Sequence, residues 1–162
     1  MVWKFLTSKS INMLLCGIDV GTSSIKVSVV DAANKQLIYS TSYPETENEI
    51  SSPAPGFAEQ DPEHWWFCVQ QAILKANASR TYDSKDISAI GISYQMHGLV
   101  VLDGNNEVVR PSIIWCDSRS VEIGNKAYLS IGESYCQQNL LNSPGNFTAS
   151  KLAWVKENEP QL

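Results

Sequence analysis

Between Leu14 and Asp31 the hydrophobic pattern changes around a single break, and that change leaves few folds open. Leu14 to Val20 is mostly apolar, Gly21-Thr22-Ser23 interrupts the run, and Ile25, Val27 and Val29 then alternate with Ser24, Lys26 and Ser28. A strand, a tight turn and a second, half-buried strand follow from that pattern. Asp31-Ala32-Ala33-Asn34-Lys35 supplies another turn, and Gln36 to Tyr43 is β-branched and aromatic enough for a third strand. The chain therefore opens on three antiparallel strands. Pro44, Pro53, Pro55 and Gly56 break up the segment from Pro44 to Gln60, which reads as a loop over the surface.

Asp61-Pro62 then gives an N-cap followed by proline at the first helical position, where a missing N–H costs nothing. Trp65, Val69, Ala72, Ile73 and Ala76 recur at helical spacing and predict one core-facing stripe. Ile87 to Ser93 is a compact apolar strand, Leu99 to Leu102 another, and Ile113 to Trp115 a third, with a hairpin turn at Asp103-Gly104-Asn105-Asn106. Helices are expected over Ser118 to Ile131, weakened by Gly124, and over Thr148 to Asn158. Strands alternating with helices after an antiparallel start define an α/β domain, and a single one suits 162 residues with 43% apolar content.

Charge narrows the function classes. Twelve basic against 17 acidic residues give a net charge of −5, with no basic cluster, so a nucleic-acid partner is not expected. An acidic chain that binds a phosphorylated ligand needs local devices: oriented N–H groups, hydroxyls or a divalent metal. Cys16, Cys68, Cys116 and Cys136 are widely spaced without a C-x-x-C pair, which reads as reduced thiols in a cytoplasmic protein rather than a zinc site. Residues 1–12 carry Lys4 and Lys9 among apolar residues and read as a disordered or extraneous lead, with Met13 a second candidate start. No stretch approaches the roughly 20 apolar residues that span a bilayer, so no membrane partner is expected.

Three constellations could carry chemistry. Asp19-Val20-Gly21-Thr22-Ser23-Ser24, with Lys26, sits on the first turn. Gly21 permits close approach of backbone to a ligand, the three hydroxyls add donors, and Asp19 can hold Mg²⁺ through water. A hairpin turn capped by hydroxyls explains the same residues. Tyr94-Gln95-Met96-His97-Gly98 follows a strand, where polar groups meet ligands at a sheet edge; Gln95 and His97 offer hydrogen bonds and Met96 an apolar wall. A turn with a satisfied histidine is the alternative. In Trp115-Cys116-Asp117-Ser118-Arg119, Asp117 and Arg119 either pair with each other or line a cleft, and Asp117 or Ser118 can instead cap a helix.

In this order the three constellations resemble the FGGY carbohydrate kinases of the actin and Hsp70-like ATPase superfamily. Asp19 to Lys26 is similar to their first phosphate motif. Gly56-Phe57-Ala58-Glu59-Gln60-Asp61-Pro62-Glu63-His64-Trp65-Trp66, Gln95-Met96-His97-Gly98, Arg110 to Arg119 and Asn146-Phe147-Thr148-Ala149-Ser150-Lys151-Leu152 resemble the xylulokinase branch. The tetrad discriminates, because the glycerol kinase branch carries an Arg-Glu pair where Met96 and His97 stand. The resemblance implies a ribonuclease H-like N-terminal domain, truncated here and spanning 13–162, with the C-terminal ATP-binding domain absent. It further implies transfer of the ATP γ-phosphoryl group to D-xylulose, giving xylulose 5-phosphate, with ATP and Mg²⁺ as cofactors. Met96, His97 and Gln95 would bind the sugar, while Asp19, Gly21, Thr22, Ser23, Ser24 and Lys26 would face the phosphoryl group and its metal.

The family's general base is an aspartate that would lie beyond Leu162, so no catalytic residue is expected in this chain and the isolated polypeptide is expected to be inactive. Ribulose, gluconate or glycerol kinases of the same family, or a non-catalytic scaffold half-domain, are the alternatives. A sheet left short of strands would expose an edge, which invites a homodimer.

Overall fold

The computed structural model describes residues 13–139 and 143–162; the expected lead at 1–12 lies outside the described residues. Three strands, β1 (Leu14–Val20), β2 (Ile25–Asp31) and β3 (Gln36–Tyr43), form the expected antiparallel meander. β4 (Glu59–Gln60) and helix α1 (Pro62–Ala78) follow, and β5 (Ile87–Tyr94) returns parallel to β1, so the main sheet has the order β3-β2-β1-β5. The crossover from an antiparallel meander through a helix to a parallel strand makes this an α/β fold.

Helix α1 begins as its sequence dictates. The Asp61 carboxylate accepts from the Glu63 N–H at 3.0 Å, and Pro62 occupies the first turn. Its apolar stripe packs Cys68, Val69, Ala72 and Ala76 onto Cys16, Ile18, Ile25 and Val27 of β1 and β2, which forms the main core. Ile73 lies at the margin of that core, as expected, but Trp65 does not enter it. The Trp65 indole turns toward the start of the helix, where its N–H donates to Gln60 Oε1 at 3.1 Å, and Cys68 fills the stripe instead.

The helix covers only part of the sheet. On its side of β5, Ile90, Ile92 and Tyr94 pair in register with Cys16, Ile18 and Val20 yet stay 62%, 66% and 71% exposed. β5 is thus an uncovered edge strand, in line with the exposed edge expected from the sequence.

The remaining elements form a second layer of structure around the site: β6 (Ser112–Ile113), α2 (Val121–Ile131), α3 (Glu133–Asn139) and α4 (Thr148–Asn158). Several expectations are corrected here. The segment ending at Gln60 is not all surface: Ala58, Glu59 and Gln60 are buried, because β4 pairs antiparallel with β6 and the Ile114 N–H donates to Ala58 O. Leu99 to Leu102 is not a continuous strand but two single bridges, Leu99 to Ile113 and Leu102 to Val108, around the expected turn that Asp103 caps. β6 covers Ser112–Ile113 rather than Ile113 to Trp115, α2 starts at Val121 rather than Ser118, and α3 has no counterpart among the expected helices. Gly124 sits inside α2 for a packing reason, since a Cβ there would overlap the backbone of Gly145.

Candidate functional site

The hairpin between β1 and β2 is built around Gly21, where an added Cβ would stand 2.9 Å from the Ser24 carbonyl. No hydrogen bond from the N–H groups of Gly21, Thr22 or Ser23 is found among the described residues, so three donors cluster at the tip. The hydroxyls behave differently from one another. Thr22 Oγ1 accepts from the Trp115 indole N–H at 2.9 Å and donates to Gln95 Oε1 at 3.3 Å, so its hydroxyl is committed within the protein. The Thr22 carbonyl is held as well, accepting from Gln60 Nε2 at 2.9 Å, and the Ser23 carbonyl accepts from the Asn48 N–H. Two glutamines and a tryptophan therefore fix the turn from outside the hairpin.

The Gln95–Gly98 tetrad emerges at the end of β5, where the Gln95 N–H donates to the Val20 carbonyl and docks the tetrad against the hairpin. It walls a largely apolar cavity of about 550 Å³, with Trp65, Ile92 and Val100 among the lining groups and Ser112 and Thr148 adding hydroxyls. Met96 is two-thirds exposed, and the His97 ring stacks on Phe147 with centroids 4.7 Å apart. His97 adopts a φ of 65°, the left-handed region that favours glycine. Gln95 Nε2 is buried with no partner among the described residues, an unspent donor at the cavity wall. An apolar cavity with a few converging polar groups is the general form of a small-molecule site. No Asp or Glu lines it.

On the opposite face of the sheet lies a polar groove of about 560 Å³, lined by Asp19, Lys26, Ser28 and Ser93 over a floor of Gly17 and Gly91. Those two glycines are register partners on β1 and β5, so no side chain rises between the strands. Asp19 pairs in register with Lys26, and its Oδ1 accepts from Ser93 Oγ at 2.8 Å. Asp19 Oδ2 has no hydrogen bond among the described residues and faces the open groove. One exposed carboxylate oxygen beside a lysine and two hydroxyls fits a Mg²⁺ that keeps most of its waters and contacts phosphate oxygens. Ile92 lines both the cavity and the groove, so the two sites adjoin at β5.

Asp117 and Arg119 resolve as a pair rather than a cleft. Arg119 Nε and Nη2 both reach the Asp117 carboxylate at 3.0 and 2.8 Å, and Asp117 also accepts from the Ala58 N–H. Arg119 further contacts Glu59 at 2.7 Å and lies over the Phe57 ring at 3.8 Å, with Glu59 shared by Arg110. This network is buried and structural: it locks the Gly56–Gln60 segment to the turn before α2. Glu59, Arg110 and the fully buried Lys151 lie in motifs that carry the family resemblance, but their pairing partners are not visible in the local sequence; the Lys151 ammonium donates to the carbonyls of His97 and Asn146 and to Asn146 Oδ1. Burial pushes the Lys151 pKa below the usual lysine value, while the Asp117 and Cys116 side chains push it back up.

The α/β domain that carries this hairpin and cavity is that of the carbohydrate kinases. The chain is a member of the FGGY family of carbohydrate kinases, whose N-terminal domain it matches over residues 14–162. It is 36% identical to the xylulose kinase of Escherichia coli over 146 residues, which is 90% of this chain and 29% of that protein. It is 33% identical to the xylulose kinase of Streptomyces rubiginosus over 150 residues, 91% of this chain and 29% of that one. The chain thus spans about 29% of the length of these relatives. Among solved structures it resembles a xylulose kinase from Brucella ovis, with a TM-score of 0.80 and 34% identity over 91% of this chain and 30% of that one. A gluconate kinase from Lactobacillus acidophilus is also similar, with a TM-score of 0.74 and 28% identity over 92% of this chain and 29% of that one. No helix among the described residues is long and apolar enough to cross a membrane.

Proposed function

We propose that this chain is the sugar- and phosphate-facing part of a cytoplasmic kinase that transfers the γ-phosphoryl group of ATP to D-xylulose, giving xylulose 5-phosphate and ADP. The observation that carries the reading is the Thr22 hydroxyl, which bonds Gln95 of the tetrad and so couples the cavity wall to the phosphate-type hairpin. In this assignment Met96, His97 and the unspent Gln95 Nε2 contact the sugar. Apolar walls exclude water from the hydroxyl that attacks, and the tetrad orients it toward the hairpin; positioning and charge stabilisation are most of what phosphoryl transfer needs.

The free N–H groups of Gly21, Thr22 and Ser23 hold phosphate oxygens, the hydroxyls of Ser23 and Ser24 add donors, and Lys26 sets a positive charge beside the groove. Thr22 contributes its N–H rather than its hydroxyl. Asp19 would hold Mg²⁺ through water, and the metal would offset charge on the phosphates. As the new O–P bond forms and the bond to the ADP oxygen breaks, the sugar hydroxyl must lose a proton. The base is assigned to an aspartate beyond Leu162 in the second half of the N-terminal domain, and the adenosine site to a later part of the longer kinase.

Titration of the chain with D-xylulose, D-ribulose, gluconate and glycerol by calorimetry tests the reading. D-Xylulose is expected to bind tightest, and His97→Ala to weaken it about tenfold, roughly the 1.4 kcal/mol of one lost hydrogen bond. A preference for glycerol or gluconate would sink the xylulose assignment.

A further inference from the structure

His97 stands in a left-handed backbone conformation at the cavity wall, with φ 65°, a region that residues bearing a Cβ adopt uncommonly. Three contacts impose it, and all come from one short stretch of chain at the start of α4. The Lys151 ammonium donates to the His97 carbonyl at 2.8 Å, the Phe147 ring stacks on the imidazole, and Thr148 Oγ1 donates to the carbonyl of the next residue, Gly98, at 3.2 Å. Asn146 closes the arrangement: its carbonyl and Oδ1 take the two other ammonium protons at 2.8 and 3.1 Å, and its Nδ2 donates to the Trp115 carbonyl at 2.5 Å.

Lys151 is fully buried, and no carboxylate pairs with it among the described residues. A buried lysine without a salt bridge is a costly choice unless each of its protons is used. Here three protons meet three acceptors, so the geometry specifies an ammonium, and one of the three acceptors is the strained residue itself.

We infer that Lys151 is a positioning residue of the sugar site: with Asn146 and Phe147 it clamps His97 in its left-handed conformation and thereby fixes the imidazole at the cavity wall. The inference rests on reading the tetrad as the sugar contact. Release of the clamp lets His97 relax to negative φ, which swings the ring off Phe147 and out of register with Met96 and Gln95.

The chain has two histidines, His64 and His97, so their ring protons are easily told apart by NMR with a His97→Asn reference sample. In the unmodified chain the His97 ring protons are expected upfield from the Phe147 ring current, and Phe147→Leu removes that displacement. Lys151→Met, close in volume but without the ammonium, is expected to remove it too, leaving His64 and the core methyls of Ile25 and Val27 unmoved. A folded Lys151→Met chain with His97 signals unchanged would overturn the inference. Should Lys151→Met fail to fold, Asn146→Ala decides in its place, since it takes away one acceptor and the Trp115 tether: displaced His97 signals support the clamp, and unmoved ones refute it. D-Xylulose added to the unmodified chain reads the sugar assignment separately, because an unresponsive His97 removes that assignment while the clamp result stands on the variants.

Discussion

The Trp115 indole N–H donates to the Thr22 hydroxyl at 2.9 Å across 93 residues of sequence, and the same hydroxyl donates onward to Gln95. One threonine thus ties the hairpin, the tetrad and a tryptophan in the turn after β6 together. Thr22→Val keeps the shape and removes both bonds, whereas Thr22→Ser retains them. A loss of about 1 kcal/mol is expected for valine, and much less for serine. Urea unfolding with unchanged slope checks it, and equal effects of the two variants would show that the hydroxyl bonds contribute nothing.

Asp117 is the centre of a different network, buried and charge-balanced. Removing it in Asp117→Ala leaves the Arg119 guanidinium, with a side chain only 1% exposed, with Glu59 alone as its carboxylate partner, and leaves the Ala58 N–H without an acceptor. Breaking a buried pair from one side costs about 3 kcal/mol or more. The thermal midpoint should therefore fall much further for Asp117→Ala than for Thr22→Val. Arg119→Lys should also be costly, because lysine cannot reproduce the forked contact to Asp117 or the stacking on Phe57.

How far these relationships were legible in the sequence depends on how local they are. The three-strand opening, the Asp61 cap and the span of α4 all follow from periodicity and capping within one segment, and the structure keeps them. The tetrad's place at the end of β5 was legible for the same reason. Pairings between distant segments were not. Glu59 looked like a loop carboxylate because its arginine partners lie 51 and 60 positions away. Trp65 fitted a core stripe by spacing, yet it lines the cavity because Gln60, five residues earlier, captures its N–H. Lys151 reads as an ordinary surface lysine of a helix, and only the fold brings the His97 carbonyl to it.

Thiol reactivity reports the core independently of any ligand. All four cysteines are free, and only Cys116 is exposed. Burial pushes the Cys16 and Cys68 thiols up, so their reactive thiolates are scarcer still at neutral pH. Brief iodoacetamide treatment of the native chain near pH 8 should place one adduct, on Cys116, as located by peptide mass spectrometry. Rapid labelling of Cys68 would contradict the packing of α1 on β1 and β2.

Lys151 also leaves a signature in the pH dependence of stability. Burial holds its folded-state pKa below that of the unfolded chain, which is about 10.4. Between those two values the unfolded state binds more protons than the folded state, so stability rises with pH across that window. Below the folded pKa the ammonium is charged in both states and the full cost of burying it is present; above about pH 10.4 that cost is gone. Other lysines, tyrosines and thiols titrate in the same range, so the quantity to measure is the difference between the unmodified chain and Lys151→Met. On raising the pH from about 8 to about 10.4, the unfolding free energy of the unmodified chain should gain on that of the variant. A difference that stays flat or moves the other way would mean that the hydrogen bonds to His97 and Asn146 outweigh the burial of the charge.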